Sequence, residues 1–251
     1  MLLTVDVGNT QTVLGLFDGA ALFESYRIKT DSRVTADELA LMFRGLLSEH
    51  SAPDGVAVCS TVPAVLDQLT TMFDRYFADV PTIVVGPGVK TGVSLVYDNP
   101  REVGPDRVVN TLAAYTMYGG PAIVVDFGTS TNFDVVSARG EFLGGALAPG
   151  IEISVDALAA RAARLFKVEL VEPRSVIGKT TTEALQSGLL YGFAGQVDGM
   201  VHRISDELGA RPVVLATGGL SHLMFQVCET LDHHEPDLTL HGLRLVYERN
   251  C

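Results

Sequence analysis

Three carboxylates in this chain of 251 residues stand where phosphate chemistry can use them: Asp6, Asp126 and Asp106. Asp6 lies in L-T-V-D-V-G-N-T-Q-T-V-L (residues 3–14) and Asp126 in I-V-V-D-F-G-T-S-T-N-F-D (residues 123–134). In each stretch an apolar run delivers the Asp, then one residue, then a Gly (Gly8, Gly128), then small hydroxyl or amide residues and a second run. That order predicts strand, tight turn, strand. The Gly lets the backbone bend and approach a ligand closely. The turn amides, with Asn9, Thr10 and Thr12 in one copy and Thr129, Ser130 and Thr131 in the other, are then donors to phosphate oxygens. A carboxylate beside such a turn suits a hard cation such as Mg²⁺, often held through water. The alternative is an Asx-type turn, in which the carboxylate only caps the next amides.

The third carboxylate sits in Y-D-N-P-R-E-V-G-P-D-R-V-V-N (residues 97–110), a loop broken by Pro and Gly that enters a helix near Pro105 or Asp106. Asp106 at a helix start is stabilised by the orphan amides and the dipole, and a cap is one reading. The other notes that Arg107 follows directly. A carboxylate and a guanidinium then project together, able to position an alcohol and to orient an acidic substrate. Weaker signals surround these. G-K-T-T-T (178–182) lacks the earlier Gly of a nucleotide P-loop, and Thr180–Thr182 are expected to cap a long helix. G-G-A-L-A-P-G (144–150) and A-T-G-G-L (216–220) read as glycine-rich exits from strands. The six histidines show no metal-ligand spacing, and no G-x-S-x-G supports a hydrolase triad.

The elements that must carry these residues repeat. Strands are expected at about 2–7, 11–17 and 21–28, a helix at 35–49 opened by Thr35 and Glu38, a strand at 55–60, a helix from Pro63 to about 77 and a strand at 82–86. The second half restarts with strands at 121–127, 131–137 and 141–147, a helix after Pro149, a long helix over 181–208, a strand at 213–217 and a last helix over 242–249. The fold class is α/β: two duplicated domains with mixed sheets, 1–115 and 116–251, with a nucleotide cleft between them. The long helix carries Gly188, Gly192, Gly195 and Gly199 on one face, which suits close approach of another helix, within the chain or across a dimer two-fold.

Composition narrows the classes. An apolar fraction of 47% with 19% charged residues is that of a globular enzyme. A net charge of −12 without a basic segment argues against nucleic-acid or anionic-membrane partners. Three cysteines without C-x-x-C imply neither a disulfide framework nor a thiolate metal site. The N-terminal run is cut by Asp6 and reads as a strand rather than a signal peptide, so a cytoplasmic enzyme with no membrane span is expected.

Turns of the D-x-G-x-T kind in duplicated halves resemble the actin, heat-shock chaperone and sugar-kinase superfamily, whose domains are ribonuclease-H-like. The specific strings D-V-G-N-T, G-P-D-R-x-x-N (104–110), D-F-G-T-S-T (126–131), G-G-x-x-x-P-G (144–150) and Q-S-G-L-L-Y-G (186–192) together resemble type III pantothenate kinase, from residue 1 to about 250. The resemblance implies transfer of the γ-phosphoryl group of ATP to the primary hydroxyl of pantothenate, the first step towards coenzyme A. It implies Asp106 as general base; Gly104, Pro105, Asp106 and Arg107 as the pantothenate loop, with Tyr97 lining the pocket; and Thr181 as a further substrate contact. Asp6, Val7, Gly8, Asn9, Thr10, Gln11, Thr12 and Val13 correspond to the first phosphate loop and Thr129 to an ATP contact. Asp126 corresponds to the ligand of a monovalent cation, K⁺ or NH₄⁺, and Asp6 is assigned Mg²⁺. A homodimer is implied. The chain departs from the family in Pro105, where Ala is common, and proline stiffens that loop. An ATP-binding switch related to the chaperone ATPases competes with this reading and would hydrolyse ATP without an acceptor.

Overall fold

Alternation sets the first sheet. Leu3, Val5 and Val7 are fully buried on one side of the first strand, and Thr4 and Asp6 point to the other. The structure, a computed structural model, describes residues 1–161 and 166–251. Strands β1 (Leu2–Val7), β2 (Gln11–Asp18) and β3 (Ala21–Lys29) form an antiparallel meander. Helix α1 (Ala36–Leu46), strand β4 (Gly55–Ser60), helix α2 (Pro63–Tyr76) and strand β5 (Thr82–Val84) follow. The sheet order is β3-β2-β1-β4-β5, with β4 parallel to β1. Thr35 and Glu38 close a capping box at the start of α1, worth about 1 kcal/mol.

Both faces of this sheet are covered. Leu3, Val5, Leu14, Val56 and Val58 pack on Leu39 and Phe43 of α1 and on Leu69, Met72 and Phe73 of α2. On the opposite face Ala57 and Cys59 meet Val109 and Leu112 of helix α3 (Pro105–Tyr118) and Leu243 and Val246 of the C-terminal helix α7 (Leu238–Glu248). That face carries Asp6. A Cβ on Gly242 would overlap the Val109 carbonyl, so α7 and α3 cross with backbones nearly touching. The last helix starts at Leu238, earlier than the expected 242, because Leu238 and Leu240 are buried ahead of a glycine that reads as a boundary.

The second sheet repeats the first. Strands β6 (Ala122–Phe127), β7 (Ser130–Val136) and β8 (Phe142–Pro149) form an antiparallel meander, followed by helix α4 (Ile151–Arg161) and the long helix α5 (Thr181–Leu208). Strand β9 (Val213–Thr217), the short helix α6 (Ser221–Met224) and β10 (His233–His234) complete it. The order read from β8 is β8-β7-β6-β9-β10, the counterpart of β3-β2-β1-β4-β5. Ile123, Val125 and Phe127 bury one face of β6 against Ile151, Val155, Leu190 and Val197, which leaves Asp126 on the other. Gly144 and Gly145, read from sequence as a strand exit, lie inside β8. There the ladder slips between Val135 and Val136, and Gly144 takes the left-handed conformation.

The chain divides into two compact units. One comprises Met1–Val93, Asp98–Ala113 and Leu238–Cys251; the other comprises Ser94–Tyr97 and Ala114–Asp237. The expected division into 1–115 and 116–251 follows chain order, whereas the compact units follow packing and place α7 with the N-terminal half. In α5, Thr180 caps the first turn by accepting from the Glu183 amide, and the buried face is Leu189, Leu190, Ala194, Val197 and Val201. A Cβ built at Gly188, Gly192 or Gly195 meets no atom within 4 Å among the described residues, so packing within them does not demand these glycines. No helix of the described residues is long and apolar enough to cross a membrane.

Candidate active site

The first phosphate turn is built by register. Asp6 pairs with Val13 and Val7 with Thr12, and the Gly8 amide donates to the Gln11 carbonyl at 3.0 Å to close the turn. Asn9, Thr10 and Gln11 are exposed, and Val13 is half-buried. Thr12 faces inward: it is 2% exposed and its hydroxyl shares a hydrogen bond of 2.9 Å with that of Thr30. The outward donors of this turn are thus backbone amides with the side chains of Asn9 and Thr10.

Two further groups converge on Asp6. Cys59 is its in-register neighbour on β4 and donates its thiol proton to Asp6 Oδ1 at 3.2 Å. The other is Asp106. In α3, Asp106, Val109 and Leu112 recur at helical spacing, so the stripe that packs Val109 and Leu112 near Cys59 also turns Asp106 towards the sheet. Burial pushes the Asp6 carboxyl up to about 6; the thiol hydrogen bond opposes this, and the negative charge of Asp106 adds to it. Burial raises Asp106 too, while the amide and the guanidinium of Arg107 pull it back. Cys59 itself is raised well above an ordinary thiol by burial and by both carboxylates, so it stays a protonated donor.

The start of α3 fixes Asp106. Pro105 occupies the first turn, where its missing amide costs nothing. A Cβ on Gly104 would overlap Asp106 Oδ1, so a side chain there would push the carboxylate aside. Arg107 is 8% exposed, and its backbone amide and carbonyl bond Gly104 and the Thr111 hydroxyl. Its position favours a local, oriented charge over a solvated surface cation.

The second unit holds the remaining expected residues. Asp126 pairs with Asn132 and with Thr217, and the Gly128 amide donates to the Ser130 carbonyl at 3.0 Å, a turn one residue tighter than the first. Thr129 is exposed, whereas Ser130 bonds Asn132 at 2.7 Å and Thr131 is buried. Tyr97 is 38% exposed and leans on Phe142, with its ring edge 3.3 Å from where Gly144 would carry a Cβ. Thr181 is exposed in the first turn of α5. The grouping within one unit is therefore Asp6, Cys59, Gly104, Pro105, Asp106 and Arg107, and within the other Tyr97, Asp126, Thr129 and Thr181. Cys59 was absent from the sequence expectations. Its signal was available: G-V-A-V-C-S is a strand, and parallel pairing with the first strand would set its end beside Asp6.

Residues 2–203 match the family described as type III pantothenate kinase. The chain belongs to that family. It is 65% identical over 251 residues to the type III pantothenate kinase of Salinispora arenicola and 64% identical over 253 residues to that of Acidothermus cellulolyticus. Each alignment covers 100% of this chain, with 100% and 99% of the relative. Among solved structures, a Campylobacter jejuni protein assigned to the Baf family of transcriptional activators aligns with TM-score 0.63 at 18% identity, over 99% of this chain and 98% of that one. The ROK hexokinase of Thermus thermophilus aligns with TM-score 0.55 at 14% identity, over 99% of both chains. These likenesses show the fold alone, an α/β architecture with two mixed five-stranded sheets.

Asp6 of this pantothenate kinase thus sits where its charge costs stability. An acid raised on folding binds its proton more tightly folded than unfolded, so stability falls as pH rises from about 4 to about 6 and the full cost persists above that. Asp6→Asn keeps an acceptor for Cys59 and removes the charge. In urea unfolding without magnesium at pH 8 it is expected to exceed wild type by about 1–3 kcal/mol, with the difference closing towards pH 4. Equal stability at pH 8, or a difference that widens in acid, would contradict the assignment.

Proposed function

We propose that this chain phosphorylates pantothenate with ATP, giving 4′-phosphopantothenate and ADP on the route to coenzyme A. The observation that carries the reading is the placement of Asp106: a half-buried carboxylate at a rigid helix start, electrostatically coupled to Asp6 at the first phosphate turn. Phosphoryl transfer asks for alignment and charge neutralisation more than covalent help. In this reading Asp106 holds the substrate hydroxyl in line and takes its proton as the oxygen bonds the γ-phosphorus and ADP departs. Its raised affinity for a proton, caused by burial, brings it closer to the working pH of a base. Gly104, Pro105 and Arg107 shape the acceptor side, Arg107 as the counter-charge for the pantothenate carboxylate, with Tyr97 and Thr181 as further contacts.

The amides of Gly8 to Gln11 with Asn9, Thr10 and Thr129 take the phosphate oxygens. No group of three or more His, Cys, Asp or Glu among the described residues is arranged to hold a metal. A desolvated carboxylate with a second one near it suits Mg²⁺ that arrives with the nucleotide, completed by waters and phosphates. Asp6 would hold that ion, and Asp126 would hold K⁺ or NH₄⁺; when bound, both supply positive charge to the triphosphate. The homodimer is part of the same proposal. The open glycine face of α5 gives a second copy of that helix room to approach closely. Sedimentation of the purified protein is expected to give a dimer, and a monomer at micromolar concentration removes this element.

ADP release from Mg·ATP in potassium buffer is expected only when pantothenate is present, with phosphopantothenate seen by mass. Acceptor-independent hydrolysis would favour the ATP-switch reading instead. Asp106→Asn is expected to fold normally and to lower kcat by roughly 10²–10⁴-fold; near-normal turnover removes Asp106 as base. Exchanging potassium for sodium is expected to slow the wild-type enzyme, and indifference to that exchange would remove the cation role of Asp126.

A further inference from the structure

Asp126 is confined by backbone as well as by its own strand. It lies in register with Thr217, the last residue of β9, and the chain turns there through Gly218 with φ of +90°. A side chain on Gly218 would overlap Asp126 Oδ1 and the backbone of Phe127, so the glycine backbone lies flat against the carboxylate. Such a close approach needs something to hold the turn down.

Three bonds do so. Leu220 donates its amide to the Phe127 carbonyl at 3.3 Å, at the end of the strand that carries Asp126. The Ser221 amide donates to the Gly218 carbonyl at 3.2 Å, and the Ser221 hydroxyl donates to the same oxygen at 2.7 Å. Ser221 is 1% exposed, so water does not compete for its hydroxyl. That hydroxyl has one proton, and the carbonyl takes it. At 2.9 Å from His234 Nε2 the oxygen must therefore accept, which places a proton on Nε2 of the histidine. The imidazole is fixed in turn: its ring stacks on Phe225 with centroids 5.6 Å apart, and its backbone is in register with Ala216 of β9.

We propose that His234 and Ser221 are positioning residues for the second phosphate turn, a relay His234 Nε2–H to Ser221 Oγ–H to the Gly218 carbonyl that seats the β9–α6 turn against Asp126. The consequence is a carboxylate whose direction is set before any ligand arrives. The inference rests on the proposed role of Asp126 in nucleotide and cation binding. The bland counterpart is that Ser221 merely caps α6. A cap acts on stability and leaves ligand affinities in step, whereas the relay acts on affinity at one site.

The test uses Ser221→Ala, His234→Phe and His234→Gln, the last keeping a side-chain N–H donor. ADP affinity is measured by calorimetry on the full-length protein, and the kinase assay gives half-saturation for potassium and KM for pantothenate. Ser221→Ala and His234→Phe are expected to weaken ADP and potassium each by about ten-fold, the scale of lost outer-shell support, with KM for pantothenate little changed. His234→Gln restores most of both. Wild-type ADP affinity in Ser221→Ala overturns the relay. So does a uniform loss of all three parameters with a lowered Tm that His234→Gln fails to rescue. Indifference of the wild-type enzyme to potassium would remove only the cation role of Asp126, and the ADP measurements would still decide the relay.

Discussion

The constraint on which the rest depends is a carboxylate at the exit of a central strand, held on the face of the sheet opposite the larger apolar core. Period-two alternation forces the choice: with Leu3, Val5 and Val7 committed to one core, Asp6 must point into the other. The same phase recurs at Ile123, Val125, Phe127 and Asp126. A charge there is poorly solvated, as the raised proton affinity of Asp6 shows. An apolar residue would pack better. What the carboxylate gains from its position is proximity to a turn whose amides and hydroxyls face outward, and a low-dielectric setting in which a cation or phosphate is bound more strongly than in water.

The two halves solve this problem with different chemistry. Cys59 at the end of β4 and Thr217 at the end of β9 occupy matching places, each in register with the Asp of the neighbouring central strand. In the first unit the matching residue gives a thiol hydrogen bond, and a second carboxylate, Asp106, approaches as well. In the second unit the strand is followed by Gly218, whose backbone covers the carboxylate directly. A site holding two carboxylates suits a divalent ion and proton transfer. In the proposed assignment, a carboxylate enclosed by backbone suits a weakly charged ion. The duplication supplied the frame, and the residues at or just beyond the end of each parallel strand made the halves unequal.

Much of this was legible in the sequence, for identifiable reasons. Strands at 2–7, 55–60 and 213–217 and the helix over 181–208 follow from alternation, capping and length, and the structure places them there. Asp6 and Asp126 stand out because a carboxylate at the end of an apolar run has no packing role, and Asp106 because Arg107 follows it directly at a helix start. What stayed hidden is what long-range pairing creates. The Cys59–Asp6 bond spans 53 residues and depends on the β1–β4 register, and Ser221 meets His234 only because β10 pairs with β9. Local punctuation also misled: Gly242 looks like a helix boundary but is the contact point of α7 with α3, and Gly144 looks like a strand exit but serves a bulge beside Tyr97.

The same reasoning bears on Pro105, the first residue of α3. Proline at a first helical position forfeits no hydrogen bond and locks one dihedral, so it narrows the orientations available to the next residue. Gly104 cannot carry a side chain without striking Asp106 Oδ1, and Val109 is clamped under α7 at Gly242. Asp106 thus lies between a proline and a turn of α3 packed closely on α7, both of which restrict its backbone. In the proposed role of Asp106 as base, a stiff approach preserves reactive geometry and costs adaptability towards altered acceptors. In that proposal Pro105 belongs with the devices that position the carboxylate.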